Sequence, residues 1–251
     1  MLDHLGEHAT TQQQTLQARQ AYLSALAAIE ESDTLDCAVS VKLTQLGLDD
    51  GVDFCRSNLE PILEAAASAG TRVEIDMESH GYVGRTLDVA FAAHAEYPKV
   101  GVAVQAYLHR TAGDVERLPP GMRVRLVKGS YLEPPEVALT DKRQVDGSYA
   151  RLFSTLFARG HPVDVATHDP RLIRGVCRRV DAVQAGWSRV EFQMLYGVRR
   201  DLQASLASQG YPVRVYVPYG TEWYPYLTRR LAERPANLWF FASNLVRSSE
   251  R

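Results

Sequence analysis

Cysteine is scarce in this chain: Cys37, Cys55 and Cys177 are an odd number at wide spacing, with no CxxC pair. That excludes a disulfide framework and offers no zinc site, and it fits a reducing cytosol. No run of 18 apolar residues exists to span a bilayer as a helix. The opening MLDHLGEH has two acids and no apolar h-region, so it does not read as a signal peptide. Lysine is nearly missing, 4 of 28 basic residues, and basic residues never run beyond two or three. With a formal net charge of −2, nucleic acid is a poor partner. Neither GxGxxG after a strand nor GxxxxGK[ST] occurs, so Rossmann and P-loop nucleotide sites lack support. GxSxG is missing too, which removes a hydrolase elbow. His168 and Asp169 are sequence neighbours, but a triad or metal site needs further groups at suitable spacing, and none stands out.

What is present is an alternation. Short β-branched runs at 37–43, 71–77, 100–107, 122–128, 162–167, 189–194 and 211–217 are each strand-like. Helix-like stretches lie at 12–30, 52–69, 84–96, 142–159, 170–184, 198–208 and 221–234. In the second, Leu59, Ile62, Leu63 and Ala66 share a face that Glu60 and Glu64 avoid. Strand–helix repetition implies parallel strands with helices outside. Seven strands, plus MLDHL as the tail of a first, give eight units in 251 residues, about the size of a (β/α)8 barrel. An open doubly wound sheet is the alternative. No linker interrupts the series, so residues 1–251 read as one domain, with 236–251 as a further short helix. A first strand this short predicts a poorly paired barrel seam.

Barrel chemistry collects at the carboxyl ends of the strands, and polar groups recur there. They are Lys42; Asp76 and Glu78; Gln105; Arg125 and Lys128; Thr167 and His168; Glu191 and Gln193; and Tyr216. One such residue is ordinarily a turn or cap. Seven strands converging on one rim predict a site for an anionic, hydrogen-bonding ligand, because burying so many polar groups is costly otherwise. In YLTRRLAERPAN, adjacent arginines read first as a solvated face. Tyr226, Arg230 and Glu233 nevertheless share helical spacing, and two inward guanidiniums would clamp a carboxylate, with Lys42 as a third cation.

The segments SVKLTQLG, IDMES, VQAYLHRT, VRLVKGSYLEP, ATHDP, EFQMLYGVR and VYVPYGTEWYPYLTRRLAERPAN occur in that order. Together they resemble the monofunctional bacterial proline dehydrogenases and, more loosely, the corresponding domain of bifunctional proline-utilisation enzymes. The resemblance implies a distorted barrel that binds FAD and oxidises L-proline to 1-pyrroline-5-carboxylate, the first step of proline catabolism. It assigns the proline carboxylate to Lys42, Arg229 and Arg230, and the wall around the ring to Tyr131, Leu195 and Tyr216. Flavin-contacting or flavin-supporting positions would be Asp76, Gln105, Arg125, Lys128, Gly129, Thr167, His168, Gln193 and Glu233. Arg125, Lys128 and Tyr216 would be the catalytic set, with the two cations facing charge that develops on reduced flavin. Glu7 resembles an acid that pairs with an active-site arginine, here Arg229. No metal is implied. A membrane quinone would reoxidise the flavin, so the chain would be cytoplasmic, with peripheral contact at the inner face of the plasma membrane left open.

Two alternatives accompany this reading. A hydroxyproline dehydrogenase needs room for a ring hydroxyl, and in the family such enzymes have a smaller residue where this chain has Tyr216. Family members also carry a whole first strand and helices before LGE, so the resemblance implies an N-terminally truncated chain. An inactive barrel remnant is the second alternative.

Overall fold

The computed structural model describes residues 1–221 except Glu7, Asp33, Gln184 and Ala185. Eight parallel strands close into a barrel in chain order. They are β1 (Leu2–His4), β2 (Val39–Val41), β3 (Val73–Ile75), β4 (Val100–Gln105), β5 (Arg123–Val127), β6 (Val163–Ala166), β7 (Val190–Leu195) and β8 (Val213–Tyr219). Among the described residues the α-helices are α1 (Gln12–Glu30), α2 (Val52–Ser68), α3 (Val83–Glu96), α4 (Thr111–Glu116), α5 (Lys142–Ala158), α6 (Pro170–Asp181) and α7 (Arg200–Ser208). This is the (β/α)8 fold that the alternation predicts.

Two expectations need correction. The seam is not poorly paired: Leu2 and Asp3 pair with Val39 and Ser40, and Leu2 to His4 pair with Val217 to Tyr219. Three residues suffice because β2 and β3 are equally short, and the side-chain amide of Gln45 donates to the His4 carbonyl at 2.9 Å. Helix α4 was not expected; at six residues with a glycine inside, it is too short to show a helical period. The expected helix over 221–234, apart from its first residue, lies outside the described residues.

Side-chain chemistry fixes where the helices begin. Thr11 caps α1 by accepting from the Gln14 N–H, while the Gln14 amide oxygen accepts from the Thr10 N–H, a reciprocal arrangement close to a capping box. Asp141 caps α5, and Asp169 caps α6 with Pro170 in its first turn.

The strands obey a strict period of two. Val39, Val41, Val73, Ile75, Val102, Val124, Leu126, Val163, Val165 and Phe192 are buried in the apolar layer under the helices. The alternate positions face the barrel axis, where a barrel of this type ordinarily packs branched aliphatics. Here they are largely polar or charged. Inward Gly101 and Ala103 on β4, paired in register with Arg123 and Arg125, leave room for them.

Candidate active site

The axial polar groups form a stack. At its upper end, just past β2 and β3, the Lys42 ammonium donates to Asp3 at 2.6 Å and to Asp76 at 3.0 Å. Asp76 also accepts from the Ser40 hydroxyl at 2.8 Å, the Tyr216 hydroxyl at 2.9 Å and the Arg125 guanidinium. Arg125 is buried on β5 and further donates to Ser40 at 2.9 Å, to the Gln193 amide oxygen at 2.7 Å and to the Met1 sulfur. Its guanidinium lies 5.1 Å from the centre of the Tyr216 ring, a cation–π contact. Below it, Gln193 passes its N–H to Asp164 at 2.7 Å. At the lower end Arg72, Arg123 and Arg214 bind Asp164 and Glu191.

The electrostatics follow from burial and partners. Burial alone would raise the Asp76 carboxyl, but Lys42 and Arg125 beside it hold its pKa down to about 2. Burial works against the charge on Lys42, yet Asp3 and Asp76 raise its pKa and keep it an ammonium. Asp3 is pushed up by burial and by Asp76 despite Lys42. Burial and the two acids raise Tyr216, which stays a phenol and donates its hydrogen. Two cations are thus locked at one level, with Asp76 between them.

Around the rim the remaining groups are tethered. The Lys128 ammonium donates to Asp146 at 2.5 Å and to Asp169 at 2.9 Å. Burial would raise Asp169, but its bond from Lys128 and one from the Arg171 N–H bring it to about 2. Gln105 at the end of β4 donates to the Glu78 carbonyl at 2.9 Å. Thr167 is buried and accepts from the Asp169 N–H. The half-buried His168 accepts from the Leu195 N–H through Nε2 at 3.0 Å, which ties the end of β6 to β7 and places any remaining hydrogen on Nδ1. Gly129 has φ +119°, and a Cβ there would run into the Tyr107 ring, so only glycine lets the β5 exit lie on that ring. Tyr131 follows in the same loop, half-buried.

The structure therefore brings Lys42, Asp76, Arg125, Gln193 and Tyr216 into one network. Gln105, Lys128, Gly129, Tyr131, Thr167, His168 and Leu195 lie at the carboxyl ends of their strands or in the loops just beyond. The amide of Gln193 is spent on Arg125 and Asp164, below the mouth. Arg229, Arg230, Glu233 and Glu7 lie outside the described residues.

The sequence model of the family described as proline dehydrogenase matches residues 1–243. The chain belongs to the proline dehydrogenase family. Proline dehydrogenase 1 of Bacillus subtilis (strain 168) is 39% identical over 249 residues, covering 98% of this chain and 82% of that protein. The proline dehydrogenase of Deinococcus radiodurans is 42% identical over 217 residues, 83% of this chain and 69% of that one. Among solved structures, proline utilization A from Bdellovibrio bacteriovorus superposes with a TM-score of 0.83 at 24% identity. The match covers 92% of this chain, which spans only 29% of that much longer one, and it shows the shared barrel.

Within this proline dehydrogenase barrel, sequence reasoning passed over Asp3, Ser40, Glu74 and Asp164, and Arg72, Arg123 and Arg214 at the lower end. Their signal is the alternation itself: LDH, SVK, RVEID, RVRL, VDV, VEFQ and VRVY set polar residues between apolar ones. A hollow of about 360 Å³ opens at the amino end of the strands, lined by Asp36, Arg72, Lys99, Arg123 and Arg214 among others. It lies at the opposite end from the tethered rim, and barrel enzymes carry their chemistry at the carboxyl end. Among the described residues, no helix is long and apolar enough to cross a membrane.

Proposed function

We propose that the whole chain acts as one barrel domain that oxidises L-proline to 1-pyrroline-5-carboxylate with FAD, and that the electrons pass to a membrane quinone. The observation that carries this reading is the locked pair Lys42 and Arg125 around Asp76 at the carboxyl end of the strands. It supports a cradle for negative charge beside a small zwitterion, in a chain whose family is proline dehydrogenase.

The donor set fits a flavin. A buried guanidinium at Arg125, with an ammonium, an amide, a hydroxyl and an imidazole at or just past the strand ends, at Lys128, Gln105, Thr167 and His168, is the kind of donor set that a hydrogen-bonding, charge-accepting ring system takes. Gly129 supports that group, Gln193 acts on it only by holding the Arg125 guanidinium from below, and Glu233 is assigned to it by resemblance. Bound FAD supplies the hydride acceptor. Proline gives up a hydride from C5 and the proton on nitrogen, and a C=N bond forms.

In this reading the protein's share is positioning and electrostatics. Asp76 fixes the Arg125 guanidinium so that its charge needs no reorganisation as negative charge develops. Lys42 spends two of its three N–H donors on Asp3 and Asp76 and keeps a third for the substrate carboxylate. Arg229 and Arg230 complete that clamp. Tyr131, Leu195 and Tyr216 wall the ring; the Tyr216 hydroxyl is anchored on Asp76, so its bulk is held in place and disfavours a hydroxyl on the proline ring.

Purified protein tests this. It should show a band at about 450 nm, the ordinary position for oxidised flavin, and kcat/KM should favour L-proline over 4-hydroxyproline by at least about ten-fold, near 1.4 kcal/mol. Protein that binds no flavin, or that prefers the hydroxylated substrate, contradicts the proposal.

A further inference from the structure

Glu74 stands one turn of the pleat below Asp76, at the centre of the axial stack, and is wholly buried. Neither carboxyl oxygen has a hydrogen-bond partner among the described residues, and no cation lies within ion-pair distance of it there. Three guanidiniums influence it, and each is turned to another acid. Arg72 binds Glu191 and Asp164, Arg123 binds Asp164, and Arg125 binds Asp76. The carboxyl is pressed over the neighbouring strand: a Cβ on Gly101 would sit 2.9 Å and 3.0 Å from its two oxygens, so glycine there leaves it room. Ser40 reaches the Glu74 carbonyl, not its side chain. From the remaining strands the facing charged or polar groups are Asp3 on β1, Gln193 and Glu191 on β7, and Arg214 on β8.

An ionised carboxylate left unpartnered in such a place is very costly, and the neutral acid costs far less. We propose that Glu74 is held as the neutral acid and is a positioning residue: by staying uncharged it leaves Asp76 as the carboxylate that engages Arg125, and so keeps that guanidinium at the flavin-facing level. Burial raises its pKa to about 8, with Asp164 adding to the shift and Arg125, Arg72 and Arg123 opposing it. In alkaline solution the acid gives its proton to water, and the new carboxylate competes with Asp76 for Arg125. The functional half of this inference rests on the flavin reading; the protonation half does not.

Infrared difference spectroscopy of wild type against Glu74→Gln decides the protonation half. A carboxylic-acid C=O band is expected in wild-type protein at about pH 6, missing in the variant and lost from wild type as pH passes about 8. Should Glu74→Gln not fold, ¹³C-glutamate labelling in a Glu78→Gln background identifies the same band. A wild-type protein in which Glu74 titrates with ordinary carboxylates, as one satisfied by buried water would, overturns the proposal. Flavin affinity tests the positioning half. Between about pH 7 and pH 9, wild-type affinity is expected to fall about ten-fold, and that of Glu74→Gln less than about two-fold. Identical pH profiles overturn the positioning role. Failure of both proteins to bind FAD at any pH overturns the flavin reading and this role with it, while the infrared band still reports on Glu74.

Discussion

Asp76 accepts from four side chains on three strands, Lys42 and Ser40 from the β2 segment, Arg125 from β5 and Tyr216 from β8. A carboxylate so placed is both a structural knot and the counter-ion of the site. Changing Asp76→Asn keeps the shape but leaves Arg125 without its carboxylate, and breaking a buried pair costs on the order of 3 kcal/mol or more. The pH dependence has a definite sign. Because Asp76 is held down at about 2 in the fold, against 3.8 ordinarily, its contribution is fully present above pH ~4 and is lost as pH falls through ~2. Urea unfolding at neutral and acid pH should therefore show the variant less stable at neutrality, with a shallower acid limb. An unchanged midpoint at neutral pH would mean that the pairings around Asp76 carry no net stability.

Among the elements, α6 shows how one residue serves fold and site together. Asp169 caps the helix by accepting from the Arg171 N–H, and its second oxygen takes Lys128. Asparagine is as good a cap as aspartate, and alanine is not. Asp169→Asn should therefore lose mainly the tether on Lys128, whereas Asp169→Ala should lose about 1 kcal/mol more. Thermal unfolding of the two variants separates the effects, and equal losses would show that the cap contributes nothing. ATHDP carried this information in part: Thr167, His168 and the Asp-Pro helix start were legible, while the reach of Lys128 from β5 to Asp169 was not. Spacing within a segment exposes local caps, but pairings across the barrel depend on which strands become neighbours. The same limit hid α4, whose six residues offer no period.

For the whole molecule, the barrel was legible because β-branched runs alternate with helical stretches at nearly constant intervals. The inversion of its interior was legible in principle, since polar residues alternate with apolar ones along most of the strands, β4 excepted. The carboxyl-end residues were picked out because barrel chemistry is expected there, and Asp3, Ser40, Glu74 and Asp164 deeper in the barrel were missed for the same reason. The first strand was legible in MLDHL as the eighth unit, but its pairing on both sides of the seam was not, because three residues carry no signature of their partners. The polar axis also says what the fold is for: paired buried charges contribute little net stability, so a stack that runs from Glu191 to Lys42 holds cations at chosen heights.

The central claim is that the Arg125 and Lys42 level of this stack faces flavin and proline. Anaerobic stopped-flow reduction of the bound flavin by L-proline, in wild type and Arg125→Met, tests it most directly. Wild-type absorbance at about 450 nm should bleach in one turnover; the variant should reduce at least about 100-fold more slowly, with a smaller change in the proline concentration for half-maximal rate. Bleaching at the same rate in both proteins would contradict the account.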